Sequence, residues 1–432
     1  VAANFYIWTT NFGERSACSY YRIEVPMLML DKMGLASIYE DKGKGTEESS
    51  IARAYSDIAH HYALGGESPL RQMRRLRSMP SGVRAGQDIY PPALIYDIDD
   101  NNDFVHPFNT SFAHMGVRGY PDARLLDPSK DAGLDIIDAS GKQIAKWVDG
   151  VTKYNDIPFD IARNLFQMKV RHEIVRTCHG VTVPSPTLAR YMEKVIGHKH
   201  VYVFPNTIVP EHYEKVRAVR ENPDEVRILW QGGMSHWIDW YPLRDALKVI
   251  SEKYPQVKWV IFGEWFNWIH ENIPDTMVEH HPWVAYDAYK LKRGLLNIDI
   301  NLCVLANNVF NACKSGIKWY ESVLGATPEA TLAAKTAPYV EIVDGETGLL
   351  YTTPEEFVQK LGTLIEDAPL RKKLAEGAKK WVLENRTPQA TVPGLFEFYM
   401  EVRARQKREM GAPIIKRATI EEIKKIASPI QR

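Results

Sequence analysis

Lys314, Lys318 and Glu321 fall at i, i+4 and i+7, which places them on one face of a helix predicted to begin near Asn311. Two ammonium groups in the first turns of a helix, beside the free N–H groups and favourable dipole of its N-terminus, suit a bound anion. A carboxylate one turn further on suits a pair of sugar hydroxyls. The alternative on spacing alone is a surface helix in which Lys318 and Glu321 form an i,i+3 ion pair. The elements that must position these groups are also legible. An apolar run at 298–304 leads in as a buried parallel strand would, and Asn307 and Asn308 break the pattern. Ile317, Tyr320, Val323 and Leu324 then form the apolar face of the helix, with Gly325 placed as its stop.

Other stretches carry candidate chemistry. After a strand at 226–230 comes Gln231-Gly232-Gly233-Met234-Ser235-His236, with Asp239 close behind. Paired glycines let backbone approach a phosphate closely, whereas His236 and Asp239 also suit a helix cap. Asp97, Asp99 and Asp100 end an apolar strand at 91–98, where α/β folds place ligands. The first strand, 4–9, runs into a polar loop holding Gly13 and Arg15, then Ser19 and a helix over 20–33. Capping by Ser16 or Ser19 is the plain alternative there. Residues 40–90 read as polar with weak periodicity, and within them Arg71, Arg74, Arg75, Arg77 and Arg84 make a basic patch with no acid inside it. Such a patch is either a solvated helix face or a surface for an anionic acceptor such as DNA, a glycan or a lipid phosphate. His172-Glu173 does not open a zinc-protease motif, because Arg176 stands where the second histidine belongs. Phe266 and Trp268, after a strand at 257–262, either hold a nucleobase or pack.

A chain of 432 residues predicts two or three domains with sizeable cores. Net charge is zero, so bulk charge gives no argument for nucleic acid. Four cysteines without a C-x-x-C pair read as free thiols in a reducing compartment, hence the cytoplasm. No apolar run is long enough for a transmembrane helix, and the first residues read as a strand and not a signal peptide. Two amphipathic helices follow Tyr351, then an apolar helical stretch at 386–410 and a basic amphipathic tail at 413–432.

Phe310-Asn311, Lys314-Ser315, Lys318 and Glu321, followed by Pro338-Tyr339, Glu341, Asp344-Gly345 and Gly348-Leu349-Leu350, resemble the donor-binding segment of retaining GT-B glycosyltransferases of the glycosyltransferase-4-like group. There the pattern reads FN-x-x-KS-x-x-K-x-x-E, then PY-x-E and a DG-x-(N/T)-G-L-L turn. The strings SYYRIEVP, YDIDD, VYVFPNTI and the Gly232-Gly233 loop resemble further segments of the group in the expected order. Two departures stand out: Cys313 occupies the first glutamate position of Glu-x7-Glu, and Glu329 replaces an apolar strand residue. The resemblance implies an α/β fold of two Rossmann-like domains facing across a cleft: an acceptor domain at 1–209, a nucleotide-sugar domain at 210–390, and helices at 391–432 crossing back. It implies sugar transfer from a nucleoside diphosphate sugar with retention, no metal and no other cofactor. Lys318 would stabilise the leaving diphosphate and Glu321 would hold the ribose. Gly232, Gly233, His236, Asn311, Lys314 and Ser315 would complete the donor site. Gly13, Arg15, Ser19 and Asp99 would face the acceptor, and Asp100 and His106 would serve the transferred sugar or acceptor hydroxyl. The alternatives are a DNA-modifying transferase acting on hydroxylated bases and a non-catalytic nucleotide-sugar-binding relative.

Overall fold

A computed structural model describes residues 5–10, 16–41, 46–84, 87–106, 109, 111–117, 136–137, 143–148, 151–154, 157–213, 222–264, 266 and 268–411. Two six-stranded sheets organise them. The first is built from β1 (Tyr6–Thr10), β2 (Ser37–Asp41), β3 (Ile58–Tyr62), β4 (Ala93–Asp97), β5 (Gly180–Val183) and β6 (Val201–Val203). Their order is β6-β5-β4-β3-β1-β2, all parallel. The second holds β7 (Val226–Gly232), β8 (Val257–Gly263), β9 (Val278–His281), β10 (Ile300–Cys303), β11 (Ala330–Ala334) and β12 (Leu349–Tyr351). Their order, β9-β8-β7-β10-β11-β12, is again parallel throughout. Parallel strands covered on both faces must be apolar along their length, and β4, β10 and β11 are buried at every position.

Each sheet reverses its strand order once, between β1 and β3 in the first and between β7 and β10 in the second. A crevice opens there, outside the carboxyl ends of the strands, and ligands of open α/β folds bind in such crevices. Gly232 ends β7, and the 305–318 segment follows β10, so both candidate stretches arrive at one switch point.

Residues 40–90 are more regular than their polarity suggests. They contain a helix at Glu47–Tyr55, strand β3, and helix α2 (Glu67–Arg77). The strand was obscured because His60 and His61 stand at buried positions in it. Helix α1 (Val25–Lys32) is preceded by a π-helical turn at Tyr20–Glu24, where a regular helix was expected. Two small antiparallel elements, a ribbon of Gly82–Arg84 with Gln87–Ile89 and strands within 136–158, lie beside the first sheet.

After β12, α3 having covered the first sheet at Ile161–Thr177, the chain continues as three helices: Pro354–Glu366, Ala368–Asn385 and Pro388–Glu409. The last of these returns to the first domain. Val392, Leu395, Phe396, Tyr399 and Val402 are buried with Ile7, Ile23, Met27 and Leu30 of that domain. Arg403 and Gln406 both donate to the Pro91 carbonyl oxygen, and Arg403 pairs with Asp57 at 3.0 Å. No helix among the described residues is long and apolar enough to cross a membrane. The tail at 413–432 lies outside the described residues.

Buried ion pairs explain two motif positions. Arg22 of the SYYR string makes a two-point pair with Asp97 of the YDIDD string, at 2.9 and 2.6 Å, with both side chains essentially unexposed. Glu329, the polar residue where an apolar one was expected, makes a two-point pair with Arg293 at 2.5 Å on each arm. Arg293 comes from α4 (Tyr286–Leu295).

Candidate functional site

A cavity of about 290 Å³ lies between the two sheets' switch points. Ser16, Ala17 and Tyr21 line it from the first domain, and Gly232, Gly233, Lys318 and Glu321 from the second. Phe262, Trp283, Tyr286 and Tyr289 form an aromatic wall at one end.

The lysines do not share one helix. The expected helix from Asn311 onward is two short pieces, α5 (Val309–Ala312) and α6 (Ile317–Tyr320), with a 3-10 turn at Glu321–Val323. Asn308 caps α5 by accepting from the Asn311 N–H, and Gly316 starts α6. A β-carbon at 316 would sit 2.9 Å from the Pro338 carbonyl oxygen, so a side chain there is refused. The break turns Lys314 and Lys318 toward different partners. Lys314 crosses to the first domain and pairs with Asp100 at 3.1 Å, its ammonium also 4.4 Å from the Phe310 ring centre. Burial pushes the Lys314 amine down, but Asp100 overrides this and holds it above its usual value.

Lys318 faces the cavity. Its Nζ lies 3.3 Å from His236 Nε2, and His236 Nδ1 lies 2.6 Å from Asp239 Oδ2. Asp239 is itself fixed by the Ala306 N–H and the Asn311 side chain. With Nδ1–H donating to the carboxylate, Nε2 is left as an acceptor for the ammonium. Burial and then the Lys318 charge hold the His236 pKa down at about 4, so the ring is neutral at pH 7. Burial pushes Lys318 itself down to about 8, against the pull of Asp239. Lys318 and Glu321 therefore do not form the i,i+3 pair that spacing allows. Glu321 instead accepts from Tyr21 at 2.5 Å, Gln231 at 2.7 Å and Tyr289 at 2.8 Å.

Backbone approach at the cavity floor depends on glycine. Gly263 adopts φ +120°, and a β-carbon there would lie 2.2 Å from the Gly232 carbonyl oxygen. Gly232 lies against His236, and Gly233 has open space above it.

The remaining candidate residues divide. Asn311 is buried and structural, donating to Asp239 and to the Ala306 carbonyl. Ser315 accepts from Asn206 at 3.0 Å, which ties the Pro205-Asn206 element to the opposite domain. Asp99 is half-buried and accepts from the Tyr62 hydroxyl at 2.7 Å; burial and then the Asp100 charge raise its pKa. Ser19 is buried in the first helical turn, where Ser16 is the cap. His106 is buried in the first domain, next to Val105, which packs with Phe310 of the second. It does not line the cavity. Gly13 and Arg15 lie outside the described residues.

The structure also places the arginine patch and the aromatic pair after β8. The arginine patch does have acids and acceptors around it, supplied by α3: Arg74 pairs with Glu173 at 3.3 Å, and Arg77 donates to the carbonyls of Thr177 and Cys178. α2 packs on α3 through buried Leu70, Met73 and Leu76, and neither Arg71 nor Arg75 lines the cavity. The Arg84 side chain lies outside the described residues. Phe266 is buried against Trp230, the packing alternative of the two, and the Trp268 side chain lies outside the described residues; Trp283, 71 % exposed and lining the cavity, was not singled out. α6, with Gly316 as its N-cap, begins beside Ser315 and is one turn long.

No protein-family model and no curated protein matches the chain. Solved structures do. The Anabaena protein HepE, in complex with UDP and glucose, is 12% identical with a TM-score of 0.54, over 92% of this chain and all of that one. Sucrose-phosphate synthase from Thermosynechococcus elongatus is 10% identical at TM-score 0.54, over 93% and 100%. A glycosyltransferase from Rickettsia africae is 12% identical at TM-score 0.53, over 93% and 99%. The fold is GT-B. At these identities the likeness extends to the arrangement of two Rossmann-like domains about a cleft, with the last helix crossing back.

Proposed function

We propose that this chain transfers a sugar from a nucleoside diphosphate sugar to an acceptor hydroxyl, with retention at the anomeric carbon. The observation that carries this is Lys318 beside the Gly232–Gly233 floor and Glu321, together on the wall of the interdomain cavity. A cation, close backbone and a carboxylate match a diphosphate next to a ribose. HepE, of the same fold, was solved with UDP and with UDP-glucose. The chemistry asks little of protein nucleophiles. The bond from the anomeric carbon to the diphosphate oxygen breaks, and charge grows on the leaving group. Lys318 and the N–H groups of the glycine floor stabilise that charge. The acceptor oxygen attacks on the face the leaving group vacates, and its proton passes to the departing phosphate oxygen. His236, neutral and anchored on Asp239, holds the Lys318 ammonium in place. Asp99, Asp100 and Ser19 of the first domain would serve the acceptor, and His106 the transferred sugar; the same role for Gly13 and Arg15 rests on the sequence resemblance alone. Lys314, paired with Asp100, spans the donor and acceptor walls.

Thermal stabilisation by UDP, GDP, ADP and CMP tests the reading. A ligand at about a hundred times its dissociation constant stabilises by roughly 2.7 kcal/mol. A shift with one diphosphate supports the assignment, and no shift with any overturns it.

A further inference from the structure

Tyr21, Tyr286 and Tyr289 line one end of the cavity, and the hydroxyls of Tyr21, Tyr286 and Tyr213 form a hydrogen-bonded triangle whose Tyr21 corner donates to Glu321. Tyr213 Oη lies 2.7 Å from Tyr286 Oη and 2.9 Å from Tyr21 Oη, Tyr286 donates to Tyr21 at 2.6 Å, and Tyr21 donates to Glu321 Oε1 at 2.5 Å. Tyr21 comes from the π-helical turn of the first domain, Tyr213 from the segment joining the two sheets, and Tyr286 from α4 of the second domain. Burial and the Glu321 charge keep all three phenols protonated, so each has one proton to give. Tyr21 spends its proton on the carboxylate while accepting from Tyr286, so the cluster polarises the Tyr21 hydroxyl toward Glu321.

The carboxylate's acceptor sites are nearly filled. An ionised carboxyl offers about four. Among the described residues Tyr21 alone donates to Oε1, whereas Oε2 takes both Gln231 and Tyr289. A ribose diol needs two sites, so one present donor must yield. Tyr289 can do so without loss, because its hydroxyl also lies 2.7 Å from the Gln231 Oε1 acceptor. The other acceptor within reach of the Tyr21 hydroxyl is the neutral Tyr213 hydroxyl at 2.9 Å, a weaker alternative than a carboxylate. We propose that Tyr21 is a positioning residue that clamps Glu321 from the opposite domain, while the Tyr289 hydroxyl gives way to the donor's ribose. This rests on the reading of Glu321 as the ribose acceptor. Without Tyr21 no donor among the described residues holds Oε1, the carboxylate turns about its last torsion, and the diol must order it on binding.

The test compares calorimetric affinities of whichever of UDP, GDP or ADP binds with those of its 2′-deoxy counterpart. Wild-type protein prefers the ribonucleotide by about tenfold, the worth of a hydrogen bond to a charged group. Tyr21→Phe brings that preference below about threefold, the 2′-deoxy nucleotide losing less affinity because only its 3′-hydroxyl uses Glu321. Tyr286 then keeps a partner in Tyr213, so the thermal midpoint serves as the folding control. Tyr289→Phe keeps the full preference. Preference retained in Tyr21→Phe, or both nucleotides weakened equally, overturns the clamp; preference lost in Tyr289→Phe overturns the role given to that hydroxyl. A wild-type protein that binds both nucleotides alike overturns the clamp and leaves the diphosphate site standing. Binding of none of them overturns the site reading as well.

Discussion

Replacing Lys318 by Met removes one charge and keeps most of the stem. Its worth follows from the surroundings. A unit charge about 4 Å from a phosphate oxygen at an effective dielectric near 20 contributes about 4 kcal/mol. The amine is already out of water, as its pKa near 8 records, so little of that is spent on desolvating it when ligand arrives. A loss of two to three orders of magnitude in diphosphate affinity is expected. The same pKa fixes a pH signature. Lys318 is cationic below about 8 and loses its proton above it. A diphosphate is fully ionised over that range, so affinity is flat near pH 7 and falls toward about tenfold per unit at higher pH. Calorimetry from pH 6.5 to 9.5, on wild type and Lys318→Met, reads both effects. Undiminished affinity in the variant, or a wild-type profile that stays level through pH 9, refutes the placement of Lys318 against the diphosphate.

Acid should destabilise the fold through its buried neutral histidines. Burial holds His60 at about 4, His179 at about 3 and His61 well below its usual value. Because the folded values are depressed, the stability is present above about pH 6.5 and is lost as pH falls toward the folded values, at about 1.4 kcal/mol per unit for each histidine. Denaturant midpoints at pH 7 and 5 measure it. Glu329→Gln leaves the Arg293 charge buried without a counterion and should cost about 3–5 kcal/mol, whereas Arg293→Met with Glu329→Leu should recover most of it; chemical denaturation of the three proteins checks the order. Cys313→Glu, which restores the glutamate of the motif, puts a carboxylate at a position with 0% exposure, packed in the first domain's core. It should lower the thermal midpoint by several degrees, as burial of an unpaired charge does.

The parallel strands were legible because burial on both faces demands uninterrupted apolar runs, as at 91–98 and 298–304. Lys318 and Glu321 were legible because the anion and diol chemistry needs those side chains wherever the helix begins. The helix itself was misread: a period of 3.6 does not register that Gly316 sits under the Pro338 carbonyl, where backbone contact decides the break. The tyrosine cluster was invisible for another reason. Residues 21, 213, 286 and 289 have no local pattern in common, and only the closed domains bring their hydroxyls together. The acid beside the arginine patch was not legible locally because Glu173 comes from a helix 99 residues later than Arg74.

The last helix has a consequence for how the molecule is made. Its residues Val392, Leu395, Phe396, Tyr399 and Val402 complete the core of the first domain, yet the ribosome reaches them after the whole second sheet. At about 5–20 residues per second, the roughly 180 residues between β6 and that helix take about ten to forty seconds to synthesise. Through that interval Ile7, Ile23, Met27 and Leu30 wait for their cover. The first domain is thus a nascent-chain client with an open apolar groove, and the order of translation, more than the final stability, sets where aggregation competes with folding.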